Sequence, residues 1–212
     1  MAEYPAESSR NPLTDECVRC PTLVDSRDCI SWGNGPLDAS VVVVGEAPAA
    51  GDPDADRWQG GNRTGMAYTS RRSGRKVRDL CADAGLDVTS DCYFTNAVKC
   101  HPPNDRDPTD DELVNCRSHL VAEMDLLHPD VVLTTGKHAT RSVLAIEDRS
   151  LDGSFDGFLD AVLDSIPMPT LETSLVPVVH PSYQEVWIGR LGHTYDSYVA
   201  ALGDALADCA VD

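Results

Sequence analysis

The run Val41-Val42-Val43-Val44 carries no polar residue at all. A strand on the surface of a sheet alternates apolar and polar side chains. Four consecutive β-branched residues instead require burial on both faces, the situation of a parallel strand sandwiched between helices. Similar stretches occur at 93–98, 131–135 and 175–179. Helical patterns fall between and after them, at about 73–84, 109–127, 136–146 and 193–208. Thr109 followed by Asp110, Asp111 and Glu112 has the form of a capped helix start. This alternation predicts an α/β fold with a parallel sheet covered on both faces. Its 212 residues suit one domain at 17–212, preceded by a loose polar arm at 1–16. The Asp- and Gly-rich stretch 147–170 receives no element.

In open α/β folds, ligands bind at the carboxyl ends of the strands. Three polar segments sit at such ends. Gly45-Glu46-Ala47-Pro48 follows the first strand and offers a carboxylate, either a base or a solvated loop acid. Thr95-Asn96 lies in the second. The Asn amide presents a donor and an acceptor in one plane, suited to reading a base edge or to bonding backbone. His180-Pro181-Ser182 follows the fourth, where a histidine can polarise an oxygen or shuttle a proton. Each signal is weak alone; their convergence on one rim of the sheet gives them weight.

Charge supplies a second constraint. The formal net charge is -18, from 35 acids and 17 bases. Such a surplus repels phosphate and argues against a nucleic-acid partner. The segment 57–78 argues the other way, because it holds seven Arg and Lys residues and no acid. Cations among Gly, Ser and Thr at a helix entrance suit phosphate contacts. The surplus is of a special kind, with 26 Asp against 9 Glu and 14 Arg against 3 Lys. That bias describes adaptation to a very salty cytoplasm. No apolar run reaches membrane-span length, and the N-terminus lacks the pattern of a secretion signal. A soluble, cytoplasmic monomer is expected.

Eight cysteines in a reducing compartment read first as metal ligands or redox groups. Cys17 and Cys20 form a Cys-x2-Cys pair, which a tight turn can bring to one side of a metal centre. Cys100 and Cys116 can join them across a loop, with Cys29 as a rival. Four thiolates suit zinc or a [4Fe–4S] cluster, and spacing does not choose between them. Cys81, Cys92 and Cys209 read as small buried hydrophobes.

Together these residues resemble the iron–sulfur uracil-DNA glycosylases usually numbered family four. The resemblance is carried by Cys17-x2-Cys20, Gly45-Glu46-Ala47-Pro48, Thr64-Gly65-Met66-Ala67-Tyr68, the block from Phe94 to Asn104, Cys116 and His180-Pro181-Ser182-Tyr183. It implies a three-layer α/β/α sandwich around a short parallel sheet. It implies a structural [4Fe–4S] cluster on Cys17, Cys20, Cys100 and Cys116, and uracil-containing DNA as partner. Glu46 and His180 would be catalytic. Gly45, Ala47, Asp52, Tyr68 and Asn96 would hold uracil. Arg71, Arg72, Arg75, Lys76 and Ser182 would contact DNA. Another deaminated base such as hypoxanthine, or a non-catalytic iron–sulfur module that binds nucleic acid, are the alternatives. The chain departs from the family pattern at Ala49 and in a longer loop between 50 and 74.

Overall fold

The computed structural model describes residues 2–70 and 72–209. Its strands are β1 (Arg10–Asn11), β2 (Gly33–Asn34), β3 (Val41–Gly45), β4 (Cys92–Asn96), β5 (Val131–Thr135), β6 (Ile166–Met168) and β7 (Thr173–Val178). Its α-helices are α1 (Pro21–Ser26), α2 (Gly61–Thr64), α3 (Ser73–Asp83), α4 (Asp110–Leu127), α5 (Lys137–Leu144), α6 (Leu151–Ser154), α7 (Gln184–Arg190) and α8 (Tyr195–Cys209).

The strands form one sheet in the order β1-β2-β4-β3-β5-β7-β6. The four central strands, β4, β3, β5 and β7, are parallel. The edges are antiparallel. Alternation along β3 divides the core in two. Val42 and Val44 join Leu120, Met124, Val143 and Leu144, from α4 and α5, on one face. Val41 and Val43 join Val77, Leu80, Tyr198 and Leu202, from α3 and α8, on the other. Helices thus bury both faces, as the four valines required.

α4 begins as its sequence predicts. The Thr109 hydroxyl accepts from the Glu112 N–H, and the Glu112 carboxylate accepts from the Thr109 N–H at 2.8 Å. Arg106 then clamps the same carboxylate through both terminal nitrogens, at 2.6 and 2.8 Å.

Three short strands had no sequence signal. β1 and β2 are two residues each, too short to show a period. β6 contains Pro167, which reads as a loop but is tolerated at a sheet edge, where an N–H can be spared. Near the N-terminus, Arg10 donates from Nε to the Gly65 carbonyl at 2.8 Å. The Tyr4 ring meets Trp58 edge-on at 5.2 Å.

Candidate active site and cysteine pocket

The carboxyl ends of β3, β4, β5 and β7 open into one cleft of about 1700 Å³. Glu46, Asn96 and His180 all line it, as do Tyr68, Asp52 and Ser182. The three weak sequence signals therefore share one cavity. It exceeds the roughly 300–1,000 Å³ of small-molecule pockets.

Close approach at the floor requires glycine. A Cβ on Gly45 would collide with the Asn96 Oδ1 and lie 2.7 Å from the Tyr68 hydroxyl. Gly45 and Glu46 also extend the sheet, because their carbonyls accept from the Ala97 and Val98 N–H groups at 2.8 and 2.9 Å. This pairing fixes the Glu46 loop against the Asn96 strand. Asn96 is buried, yet its side-chain amide has no protein partner among the described residues. Tyr68 sits at φ +53°, a conformation rarely given to aromatic residues. Its hydroxyl is within 2.6 Å of Thr135 Oγ1, and its ring meets Phe94 edge-on. The tyrosine is thus locked as one wall of the cleft.

His180 is oriented from behind. Its Nδ1 accepts the Ser182 N–H at 3.2 Å, which leaves the proton of a neutral ring on Nε2. Burial first, and the charge of His138 second, hold its pKa below the usual histidine range. Gly136, at φ +95°, passes so close that a Cβ there would sit 3.1 Å from the His180 Cβ. Glu46 is half-buried, and its Oε1 is shielded from solvent without a hydrogen-bond partner. Burial pushes its pKa up, His138 opposes that, and Asp107 adds to it.

The basic segment separates on folding. Arg72 and Arg75 line the cleft. Arg75 also stacks on Trp58, 5.0 Å from the ring centroid. Lys76 turns outward to Glu185 at 3.1 Å, and Arg63 lies 3.5 Å from Asp28. Arg78 is buried, stacked 3.9 Å over Phe94 and bonded to Asn34 Oδ1 at 2.7 Å. Arg71 lies outside the described residues. Asp52 is exposed on the rim, and its Oδ1 accepts the Asp54 N–H at 3.1 Å. Ala47 lines the cleft and also packs toward the cysteine pocket.

Behind the cleft is a second, mostly apolar pocket. Cys17, Cys20, Cys100 and Cys116 all line it, with Leu23 and Trp32 among its walls. Cys29 turns away and donates to the Asn62 carbonyl at 2.9 Å. Three of the four thiols receive N–H donors. Arg27 Nη1 lies 3.1 Å from the Cys100 sulfur, the Lys99 backbone N 3.3 Å from that of Cys116, and Asn115 Nδ2 3.6 Å from that of Cys20. Burial raises the pKa of Cys20, Cys100 and Cys116, the last to about 11. Cys81 and Cys92 are fully buried in the core, whereas Cys209 is half-buried beside Ser165.

Lys99 joins the two sites. Its Nζ donates to the Asn96 carbonyl at 2.7 Å and to Thr95 Oγ1 at 2.6 Å, and it pairs with Glu123. Lys99 and Glu123 are 1% and 0% exposed. Neither the pair nor His138 stood out in the sequence. His138 follows the carboxyl end of β5, so the strand-end rule that singled out Glu46 and His180 could have found it.

Known proteins give the same picture. A type-5 uracil-DNA glycosylase of Pyrobaculum aerophilum is 36% identical over 158 residues, covering 61% of this chain and 66% of that protein. A type-4 uracil-DNA glycosylase of Thermotoga maritima is 32% identical over 124 residues, 58% of each chain. A type-5 uracil-DNA glycosylase of Mycobacterium leprae is 29% identical over 212 residues, covering 85% of this chain and 87% of that protein. The chain thus spans 66% of the first relative and 58% of the second, under two thirds of each. The model of the uracil DNA glycosylase superfamily matches residues 32–203, which include the cleft's strand ends, Cys100 and Cys116. With a parallel sheet whose carboxyl ends gather Glu46, Asn96 and His180 in one cleft, the chain belongs to the uracil DNA glycosylase superfamily.

Proposed function

We propose that this protein excises uracil from DNA by hydrolysing the N-glycosidic bond, leaving an abasic site. The observation that carries this reading is Asn96 lining one cleft with an oriented His180 and a half-buried Glu46. Uracil in a duplex is out of reach, so it must be flipped into the cleft. Tyr68 offers a wall on which the base can stack. The Asn96 amide can accept from uracil N3–H and donate to O4; cytosine presents the opposite pattern. As the bond from C1′ to N1 breaks, negative charge grows on the base, and His180 Nε2–H can donate to O2. The Glu46 carboxylate stabilises the sugar cation or orients the water that adds to C1′. Asp52, Gly45 and Ala47 complete the base site, while Arg71, Arg72, Arg75, Lys76 and Ser182 grip the strand. Both acid–base requirements fail on the same side. Glu46 must be ionised and His180 neutral, so activity falls as pH drops.

Cys17, Cys20, Cys100 and Cys116 fit a [4Fe–4S] cluster. A tetrahedral zinc would draw its sulfurs to within about 3.8 Å of one another. The choice of the cluster over zinc rests on the resemblance carried by Cys17, Cys20, Cys100 and Cys116. Their N–H donors also suit cluster sulfurs. The cluster would supply a structural crosslink. A lyase step would need a free amine. Lys99 is buried in its ion pair and Lys137 stands exposed at the cleft rim, so the choice of simple hydrolysis rests on the resemblance and not on a missing amine.

No helix among the described residues is long and apolar enough to cross a membrane. The acidic surface supports a monomer working in a halophile's cytoplasm, among archaea of the family-four type. The test is incubation with uracil-, hypoxanthine- and thymine-containing oligonucleotides at low and high salt. Release of uracil alone is expected. Failure to release uracil at every salt concentration overturns the reading.

A further inference from the structure

Glu46 and His180 come from different strand ends, and a charge on His138 favours both the Glu46 anion and the neutral His180 ring. His138 lies in the first turn of α5, two residues beyond the glycine that passes the His180 Cβ. Its Nε2 is 3.5 Å from Asp107 Oδ2. One ligand atom each from His138, Asp107 and Glu46 falls within 4.8 Å of the other two. All four residues line the cleft. Resting on the uracil-excision reading above, we propose that His138, anchored by Asp107, is a positioning residue whose imidazolium charge acts on Glu46 and His180 at once.

The surroundings leave His138 as the cation placed to do this. On its own helix, Lys137 stands at the cleft rim and Arg141 faces Asp152 at 3.6 Å. From the loop before α4, Arg106 is committed to Glu112, and Asp105 faces His101 at 3.7 Å. Asp160, Asp52, Arg72 and Arg75 also line the cleft. From the loop after β7, Tyr183 packs on His180, 5.8 Å between ring centroids. Among the described residues, Glu46 Oε1 has no hydrogen-bond partner to compete for it. A positive charge beside a carboxylate favours its anion, and beside an imidazole it disfavours the second cation. One charge therefore serves both requirements of the reaction.

The sign of the effect follows. His138→Gln removes the charge, so Glu46 takes up a proton at higher pH and so does His180. The acidic limb of the kcat/KM profile should move to higher pH. The variant should fall about fivefold below the parent protein near pH 6 and approach it above about pH 8, where a histidine has lost its charge. His138→Arg, charged throughout, should restore the limb. High salt should narrow the gap, because His138 is partly exposed.

A second measurement needs no turnover. NMR titration of the His180 ring should give a midpoint a few tenths of a pH unit higher in His138→Gln, roughly a twofold change in its ionisation constant. An unchanged His180 midpoint, or a uniform loss of activity across all pH values in both variants, overturns the proposal. If the parent protein releases no uracil, the functional reading fails, and the NMR titration still decides the coupling.

Discussion

The cleft and the cysteine pocket differ in how their polar groups are partnered. In the cleft, Glu46 Oε1 and Arg75 Nε are buried without a hydrogen-bond partner among the described residues. In the cysteine pocket, within mostly apolar walls, three of four thiols receive an N–H donor, and His119 Nε2 is a buried polar atom without a hydrogen-bond partner among the described residues. Unpaired polar groups cost stability, of order 1–3 kcal/mol each when buried, and a fold keeps them where a ligand supplies the missing partner. Paired groups in apolar walls hold a structure still. On the reading proposed above, the first site serves a base that enters and leaves, and the second a cluster that stays. Lys99 touches both, with its backbone N–H on Cys116 and its Nζ on the Asn96 carbonyl.

The largest expected effect falls on that link. Lys99→Met leaves Glu123 charged and fully buried with no counter-ion, which costs about 3–5 kcal/mol. The chain should unfold at clearly lower denaturant concentration. The double variant Lys99→Met, Glu123→Leu should recover much of the loss, because the unpaired charge is then gone. If the single variant unfolds at the parent midpoint, the two sites are not joined through this pair.

Next in size is His180→Ala. Loss of one donor to developing charge costs about 10²- to 10³-fold in kcat. Stability should hardly change, since the ring is held by one backbone N–H and packing against Tyr183. A single-turnover assay with a uracil oligonucleotide, run beside a melting curve, separates the two readouts. A melting temperature that collapses along with activity would put His180 among the structural groups, and the contrast between the sites would fail at its most important member.

Cys100→Ser probes the other side. Iron content and visible absorption of the protein purified without oxygen should fall. Thermal stability should drop with them, while base selectivity among the products still released stays that of the parent. A colourless parent protein with full activity would remove the cluster from the account.

These contrasts were legible in the sequence to unequal depth. The valine run fixed the sheet's burial on both faces, and Thr109 with Glu112 fixed a helix start, because both are local patterns with one physical solution. Glu46, Asn96 and His180 were found because strand ends in such sheets meet at one rim. His138 obeys the same rule but sits behind a Thr-Thr-Gly strand end that carries no distinctive motif. Lys99 and Glu123 lie 24 positions apart, and nothing in spacing announces a buried pair. The basic segment misled in part. Its lack of acids is real in sequence, yet Asp28 and Glu185 reach Arg63 and Lys76 from elsewhere in the chain, and Arg78 is spent in the core.

The smallest effect completes the contrast, because it concerns a second Lys–Glu pair with the same chemistry as the first. Lys76 and Glu185 are 42% and 87% exposed, against a nearly sealed Lys99 and Glu123. Water already solvates the Lys76 ammonium and the Glu185 carboxylate, so their pairing gains little and salt screens the rest. Lys76→Ala should change stability by less than about 1 kcal/mol. Its consequence should appear in DNA binding instead. If Lys76 leaves Glu185 to meet a phosphate, the variant binds all sequences more weakly and its slope of log affinity against log salt is shallower by about one. An unchanged slope would mean that Lys76 keeps Glu185 in the complex, and that the cleft-lining Arg72 and Arg75 carry the phosphate contacts without it.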